Sequence, residues 1–188
     1  MNIKERFRNL LLEREQEYDY GCVMLYLKID ENYWNDLTSI IDKKDVYNGT
    51  KEDPGYGIED EPHITILYGI HHDEITTDEL KTKINQIKNI NLTINKVSSF
   101  DNNDDYSVIK FDIESDDLVK YNKMFKKLPH TSTFPNYHPH MTIAYVKPDN
   151  VKDYIKEINQ YIKDNEVEYE IDSIVYSPPK GEKKYYKL

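Results

Sequence analysis

One string of residues occurs twice in this chain. Pro62-His63-Ile64-Thr65-Ile66-Leu67-Tyr68 and Pro139-His140-Met141-Thr142-Ile143-Ala144-Tyr145 agree at five of seven positions and stand 77 residues apart. Each copy is the middle strand of an equivalent series of strand, helix, strand, helix, strand. Two such strings at equivalent places imply an internal duplication.

The first series reads as a strand over 21–29, a helix over 33–41, a loop over 50–61 holding Pro54, Gly55 and Gly57, a strand over 63–70, a helix over 77–89 and a strand over 91–100. Thr77 has Leu80 three residues on, so no capping box is expected there, although Asp78 and Glu79 suit a first turn. The second series reads as a strand over 106–113, a helix over 116–127, a loop over 128–137, a strand over 139–146, a helix over 151–163 and a strand over 167–176. A short last strand is expected over 185–188 and an appended amphipathic helix over 2–17. The expected organisation is an N-terminal helix within 1–19 and one bilobal domain over 20–188. Its lobes span about 20–103 and about 104–188.

Side chains alternate across a strand. Unbroken alternation puts His63, Thr65 and Leu67 on one face and Ile64, Ile66 and Tyr68 on the other. In the second copy it opposes His140, Thr142 and Ala144 to Met141, Ile143 and Tyr145. The apolar face suits a core, so the His/Thr face must meet something polar. Two lobes related by a pseudo-twofold axis bring both faces to one cleft. Imidazole titrates near neutral pH, so one neutral and one protonated histidine suit a general base and a general acid. Threonine hydroxyls suit nonbridging phosphate oxygens. Together they can cleave a phosphodiester without a metal.

Composition narrows the ligand. The 188 residues carry 35 acidic and 25 basic side chains, a net charge of -10. Long nucleic acid is an unfavourable partner, because polymer binding runs on a basic surface; a small phosphate ligand in a local pocket is compatible. Cys22 is the single cysteine, so no intrachain disulfide can form. No apolar run of membrane-spanning length and no signal-like N-terminus are read, so a cytoplasmic protein, without membrane contact and monomeric, is expected.

The paired His63-Ile64-Thr65 and His140-Met141-Thr142 resemble the signature of the two-histidine (2H) phosphoesterases, and the likeness covers about residues 20 to 176. That resemblance implies a duplicated α+β fold, with two sheets flanking a central cleft and helices outside. It implies catalysis by His63, Thr65, His140 and Thr142, with no cofactor. Within the superfamily, Tyr18–Met24 and Gly57–Ile70 look like the corresponding stretches of phage anti-CBASS nucleases. This narrower resemblance implies a phosphodiesterase acting on 3'-5' linkages of small cyclic di- or trinucleotides, in the cytoplasm of an infected host, to suppress antiviral immunity. The alternatives are an RNA-end 2',3'-cyclic phosphodiesterase akin to the 2'-5' RNA ligases, and a nucleotide sponge that binds without cleaving. The resemblance also implies base-holding residues outside the motifs; Tyr26 and Glu168 are considered for this role and left outside the site.

The remaining candidates are weaker. His138 shares a strand face with His140 and is read as lining the cleft rim, where it contacts ligand or orients His140. A metal site from His138 and His140 would need carboxylate or cysteine ligands that the spacing does not supply. His71 and His72 read as solvated turn residues, and His130 as a loop residue able to cover the site. Asp101–Asp105 reads as a solvated turn, Lys180–Lys184 as a tail patch able to meet a phosphate, and Cys22 as core. No GxxxxGK[ST] loop occurs, which disfavours an NTPase.

Overall fold

A computed structural model describes residues 18–50, 55–101, 104–132 and 136–188. The helix expected over 2–17 lies outside the described residues.

The described chain forms seven strands and four α-helices. They are β1 (Tyr20–Ile29), α1 (Glu31–Ser39), β2 (His63–His71), α2 (Thr77–Ile84), β3 (Thr93–Phe100), β4 (Ser107–Glu114), α3 (Asp116–Phe125), β5 (His140–Val146), α4 (Val151–Asp164), β6 (Tyr169–Ser177) and β7 (Lys184–Lys187). Short 3₁₀ turns follow β2 at His72–Glu74 and β5 at Pro148–Asn150.

The helix starts are set by their caps. Asp30 accepts from Tyr33 N at α1, and Ser115 accepts from Leu118 N at α3. At α2 the N-cap is Thr76, one residue earlier than the sequence suggests. Thr76 and Glu79 therefore complete the capping box that counting from Thr77 misses.

The two expected sheets are one. The strand order is β3-β4-β5-β2-β1-β6-β7, with every pair antiparallel. The halves join where β2 meets β5, at the Ile64–Met141 pair. That pairing satisfies backbone groups that two separate sheets would leave at open edges. The third strand of each repeat crosses over: β3 pairs with β4, and β6 pairs with β1. Neither 20–103 nor 104–188 thus closes half of the sheet by itself.

Beyond the Ile64–Met141 pair the two motif strands part, and loops fill the gaps reciprocally. The segment before β2 lies against β5, with Tyr145 N donating to Gly57 O at 2.8 Å and Glu59 N to Ile143 O at 2.9 Å. The segment before β5 lies against β2, with Thr131 N donating to Gly69 O at 2.9 Å and His71 N to Pro129 O at 3.0 Å. Gly69 has φ +88°, and a Cβ there would sit 2.1 Å from the Thr131 carbonyl oxygen. Only glycine permits both that backbone and that approach.

The main core lies on one face of the sheet. Val23, Leu25, Ile64, Ile66, Ile109, Phe111 and Met141 pack there with residues of all four helices, among them Leu37, Leu80, Phe125 and Ile158. Among the described residues the opposite face carries a small buried cluster of Met24, Tyr26 and Val175, with Cys22 against it. That face, which carries none of the described helices, is where the polar residues of both motifs lie.

Candidate active site

Ile64 and Met141 are fully buried, whereas His63, Thr65, His140 and Thr142 are partly exposed on the face opposite the main core. Because the strands are antiparallel at the Ile64–Met141 pair, His63 lies towards Thr142 and Thr65 towards His140. A pseudo-twofold axis through that pair therefore relates the two motifs. The sequence repeat becomes a near-symmetric quartet of two imidazoles and two hydroxyls.

Each ring is held the same way. His63 Nδ1 meets Glu61 O at 2.8 Å, and His140 Nδ1 meets His138 O at 2.8 Å. A carbonyl only accepts, so Nδ1 carries the hydrogen in both rings. Nε2 is left as the nitrogen available to a ligand. His138 thus orients His140 through its backbone carbonyl, while its side chain is exposed. Ligand contact by that side chain stays a proposal.

The strict alternation expected of the motif strands breaks at one equivalent place in each. β1–β2 pairing passes from Thr65 to Leu67, and β4–β5 pairing from Thr142 to Ala144. Ile66 and Ile143 are the extra residues of two matched bulges, and each re-aims the side chains beyond it. Leu67 and Ala144 turn into the core, at 4% and 0% exposure. Tyr68 and Tyr145 turn out onto the His/Thr face, reversing the assignment made from unbroken alternation. Tyr68 is 60% exposed, beside Tyr20 at 6.1 Å between ring centres. Tyr145 joins Tyr47, Tyr56 and Tyr106, with ring centres 4.9–5.6 Å apart. A cleft lined by Tyr56, Gly57, Glu59, Glu61, Tyr145 and Lys183 opens beside this cluster.

Neighbouring segments surround each histidine with an aromatic ring, a lysine and a carboxylate. At His63 the ring is Tyr26, stacked at 5.6 Å. Lys183 pairs with Glu61 and donates to Tyr26 Oη at 2.8 Å. The Lys183 bond holds the Glu61 carboxyl below its usual range, and burial pushes the Tyr26 phenol up to about 12. At His140 the ring is Phe100, edge-on at 5.0 Å. Lys110 lies 4.3 Å from the centre of that ring and pairs with Asp112. Burial works against the Asp112 carboxylate, but its bonds to Lys110 and Ser98 prevail and hold it below the usual range. Burial, then the Lys110 charge and the His63 ring, hold the His140 imidazole below the ordinary histidine range against its carbonyl bond and Asp112.

Apart from Glu61 these neighbours come from segments distant from their histidine in sequence, and Lys183 lies in a stretch that the sequence marks as a phosphate candidate. Tyr26 is brought to His63, whereas Glu168 is exposed ahead of β6. Cys22 is half-buried on the site face beside the Thr65 side chain rather than in the main core. Burial pushes its thiol up to about 12 and outweighs the Thr65 bond, so it stays protonated.

His71 and His72 are not freely solvated, although His72 opens a 3₁₀ turn. His71 is buried at the end of β2, with Nδ1 2.8 Å from Glu74 Oε2, Nε2 2.8 Å from Thr131 Oγ1 and Tyr18 stacked on it. His72 Nδ1 meets Tyr176 Oη at 2.7 Å. His130 bridges to Ile70 through the backbone, and its Nδ1 meets Leu128 O at 2.9 Å. Among the described residues no three or more His, Cys, Asp or Glu side chains converge as metal ligands. No described helix is long and apolar enough to cross a membrane.

The fold is shared with solved structures. Kluyveromyces marxianus Usb1 superposes with a TM-score of 0.51 at 9% identity, covering 91% of this chain and 99% of that one. The same protein with uridine monophosphate gives 0.53 at 10% identity, covering 90% and 98%. No curated protein sequence matches the chain. The model of the 2'-5' RNA ligase superfamily matches residues 33–176, which include both His-x-Thr motifs. With that match over most of its length and the paired motifs on one sheet face, the chain belongs to the 2'-5' RNA ligase superfamily of 2H phosphoesterases.

Proposed function

We propose that the protein is a phosphodiesterase that cleaves 3'-5' linkages of small cyclic oligonucleotides. One observation carries the reading: two imidazoles, each with Nδ1 engaged by the carbonyl two residues before it, stand with two threonines about one pseudo-twofold axis. His63 and His140 exchange protons with the substrate, and Thr65 and Thr142 hold the nonbridging phosphate oxygens. The attacking group is the ribose 2'-hydroxyl next to the scissile phosphate, already within reach of phosphorus. One histidine takes its proton and the other protonates the departing 5'-oxygen. The products are a 2',3'-cyclic phosphate and a 5'-hydroxyl, and no metal takes part.

The net charge of -10 favours a small ligand over a polymer. The resemblance of Tyr18–Met24 and Gly57–Ile70 to anti-CBASS nucleases supports a cyclic messenger, destroyed in the cytoplasm of an infected cell. A second reading is cleavage at RNA ends. The fold likeness to Usb1, one structure of which holds uridine monophosphate, favours it.

Incubation with cyclic dinucleotides or trinucleotides, and separately with short RNA, followed by chromatography of the denatured mixture, tests these readings. Linear product ending in a 2',3'-cyclic phosphate is expected from the cyclic ligands, with and without EDTA. Intact ligand released on denaturation would make the protein a sponge; cleavage of RNA alone would favour the second reading. A 2'-deoxy analogue should bind and persist uncut, and its hydrolysis at the normal rate would refute the 2'-hydroxyl as nucleophile.

A further inference from the structure

The two motif histidines share one backbone setting but not one electrostatic setting. His140 is faced from β4 by Lys110 and Asp112, from β2 by His63 and from β3 by the uncharged Phe100. The Lys110 side chain is only 6% exposed, and its ammonium also bonds Ser98 Oγ at 2.8 Å. Lys96 adds positive charge near Asp112. His63 is faced from the segment before β2 by Glu59, 3.9 Å from Nδ1, and by Glu61; from the segment before β7 by Lys183, through its pair with Glu61; and from β5 by His140. His63 therefore has two carboxylates and one ammonium about it, while His140 has one of each, with the ammonium the stronger influence.

Lys110 is buried while Asp112 is about one-third exposed, so the pair mainly offsets the cost of desolvating the ammonium and is weak evidence of a stabilising role. Lys110 and Asp112 stand opposite Thr142 and His140 in the β4–β5 register, so their charges act where the proton moves. We propose that Lys110, paired with Asp112 beside Phe100, is a positioning residue that sets His140 as the proton acceptor, which leaves His63 as the proton donor. The inference rests on these histidines being the acid–base pair of the proposed function. It gives the near-symmetric site one direction. The nucleotide that supplies the 2'-hydroxyl lies over β4 and β5, beside Phe100. The departing 5'-oxygen lies over β1 and β2, beside Tyr26 and Tyr185. His140 Nε2 takes the 2'-hydroxyl proton as the 2'-oxygen bonds to phosphorus, and His63 Nε2–H protonates the 5'-oxygen as that P–O bond breaks.

NMR titration of the His140 Cε1–H resonance reads the Lys110 effect without any turnover. Lys110→Met removes the ammonium and frees the Asp112 charge, so His140 should titrate at higher pH than in the wild type. Asp112→Asn leaves the ammonium unopposed, so His140 should titrate at lower pH; the double variant should lie between. A merely structural role would move both single variants the same way or neither, and either result overturns the proposal. Asp112→Asn alone decides the matter if Lys110→Met does not fold: movement upward, or none, overturns it.

A substrate with sulfur in place of the 5'-bridging oxygen reads the direction. Its thiolate leaves without a proton, so His63→Ala should regain most of its lost turnover and His140→Ala none. Rescue of His140→Ala instead overturns the assignment. If the titrations move as expected while His140→Ala keeps full turnover on the normal substrate, the phosphodiesterase reading fails and the Lys110 effect stands.

Discussion

Gly69 ties the loop ahead of the second motif to the strand of the first, so Gly69→Ala measures how much the reciprocal packing of loops is worth. Its φ of +88° is strained for any residue with a Cβ. Left-handed backbone costs an L-residue about 1–2 kcal/mol. The new Cβ would also meet the Thr131 carbonyl oxygen at 2.1 Å, a backbone atom that can yield only by moving the loop. That movement breaks the Thr131 N to Gly69 O bond, worth about 1 kcal/mol. The sum is about 2–3 kcal/mol, a sizeable part of the ~5–15 kcal/mol that holds a domain together. With a urea slope of about 2 kcal/mol/M, the unfolding midpoint should fall by roughly 1 M or more. Gly181→Ala separates strain from clash: Gly181 has φ +99° and no atom within 4 Å of the added Cβ. It should lose only the backbone part, about 1–2 kcal/mol. Equal midpoints for Gly69→Ala and Gly181→Ala, at unchanged slope, would refute the contact argument; a wild-type midpoint for Gly69→Ala would refute all of it.

His63→Ala and His140→Ala should each lower turnover by about 10²–10⁴-fold while circular dichroism stays native, because both rings are partly exposed on the face opposite the main core. The double variant should be little worse than either single one if the rings act as a unit, and full activity of either single variant rejects the mechanism. The Cys22 thiol, pushed up to about 12 by burial, should resist iodoacetamide near pH 8 in the native protein and react once urea unfolds it. His140 titrates below the ordinary histidine range when folded, so at mildly acid pH the unfolded chain binds the extra proton. Its contribution to stability is complete above the unfolded value of about 6.5 and is lost as pH falls from there through the folded value. The stability of the wild type relative to His140→Gln should accordingly decline on acidification, and a rise would contradict the burial argument.

The repeat, the polar pair in each copy and the order of strands and helices are local properties, and the sequence carries them openly. The element boundaries fall within a few residues of the apolar periodicity because each strand buries one face and each helix one stripe. What the sequence withholds depends on pairing between distant strands. Alternation puts Tyr68 and Tyr145 in the core, but β1 and β4 pair past Ile66 and Ile143 and turn both rings to the site. A bulge is a relation between two strands, so one strand's residues do not reveal it. The same holds for Lys110, Asp112 and Phe100, which reach His140 only through the β3-β4-β5 register, and for Lys183, which approaches Glu61 from the far end of the chain. Duplication supplies two of everything, and two sheets are the natural expectation from it. Only the backbone pairing of Ile64 with Met141 decides that they are one, and it is that pairing which faces the two histidine motifs across a single axis.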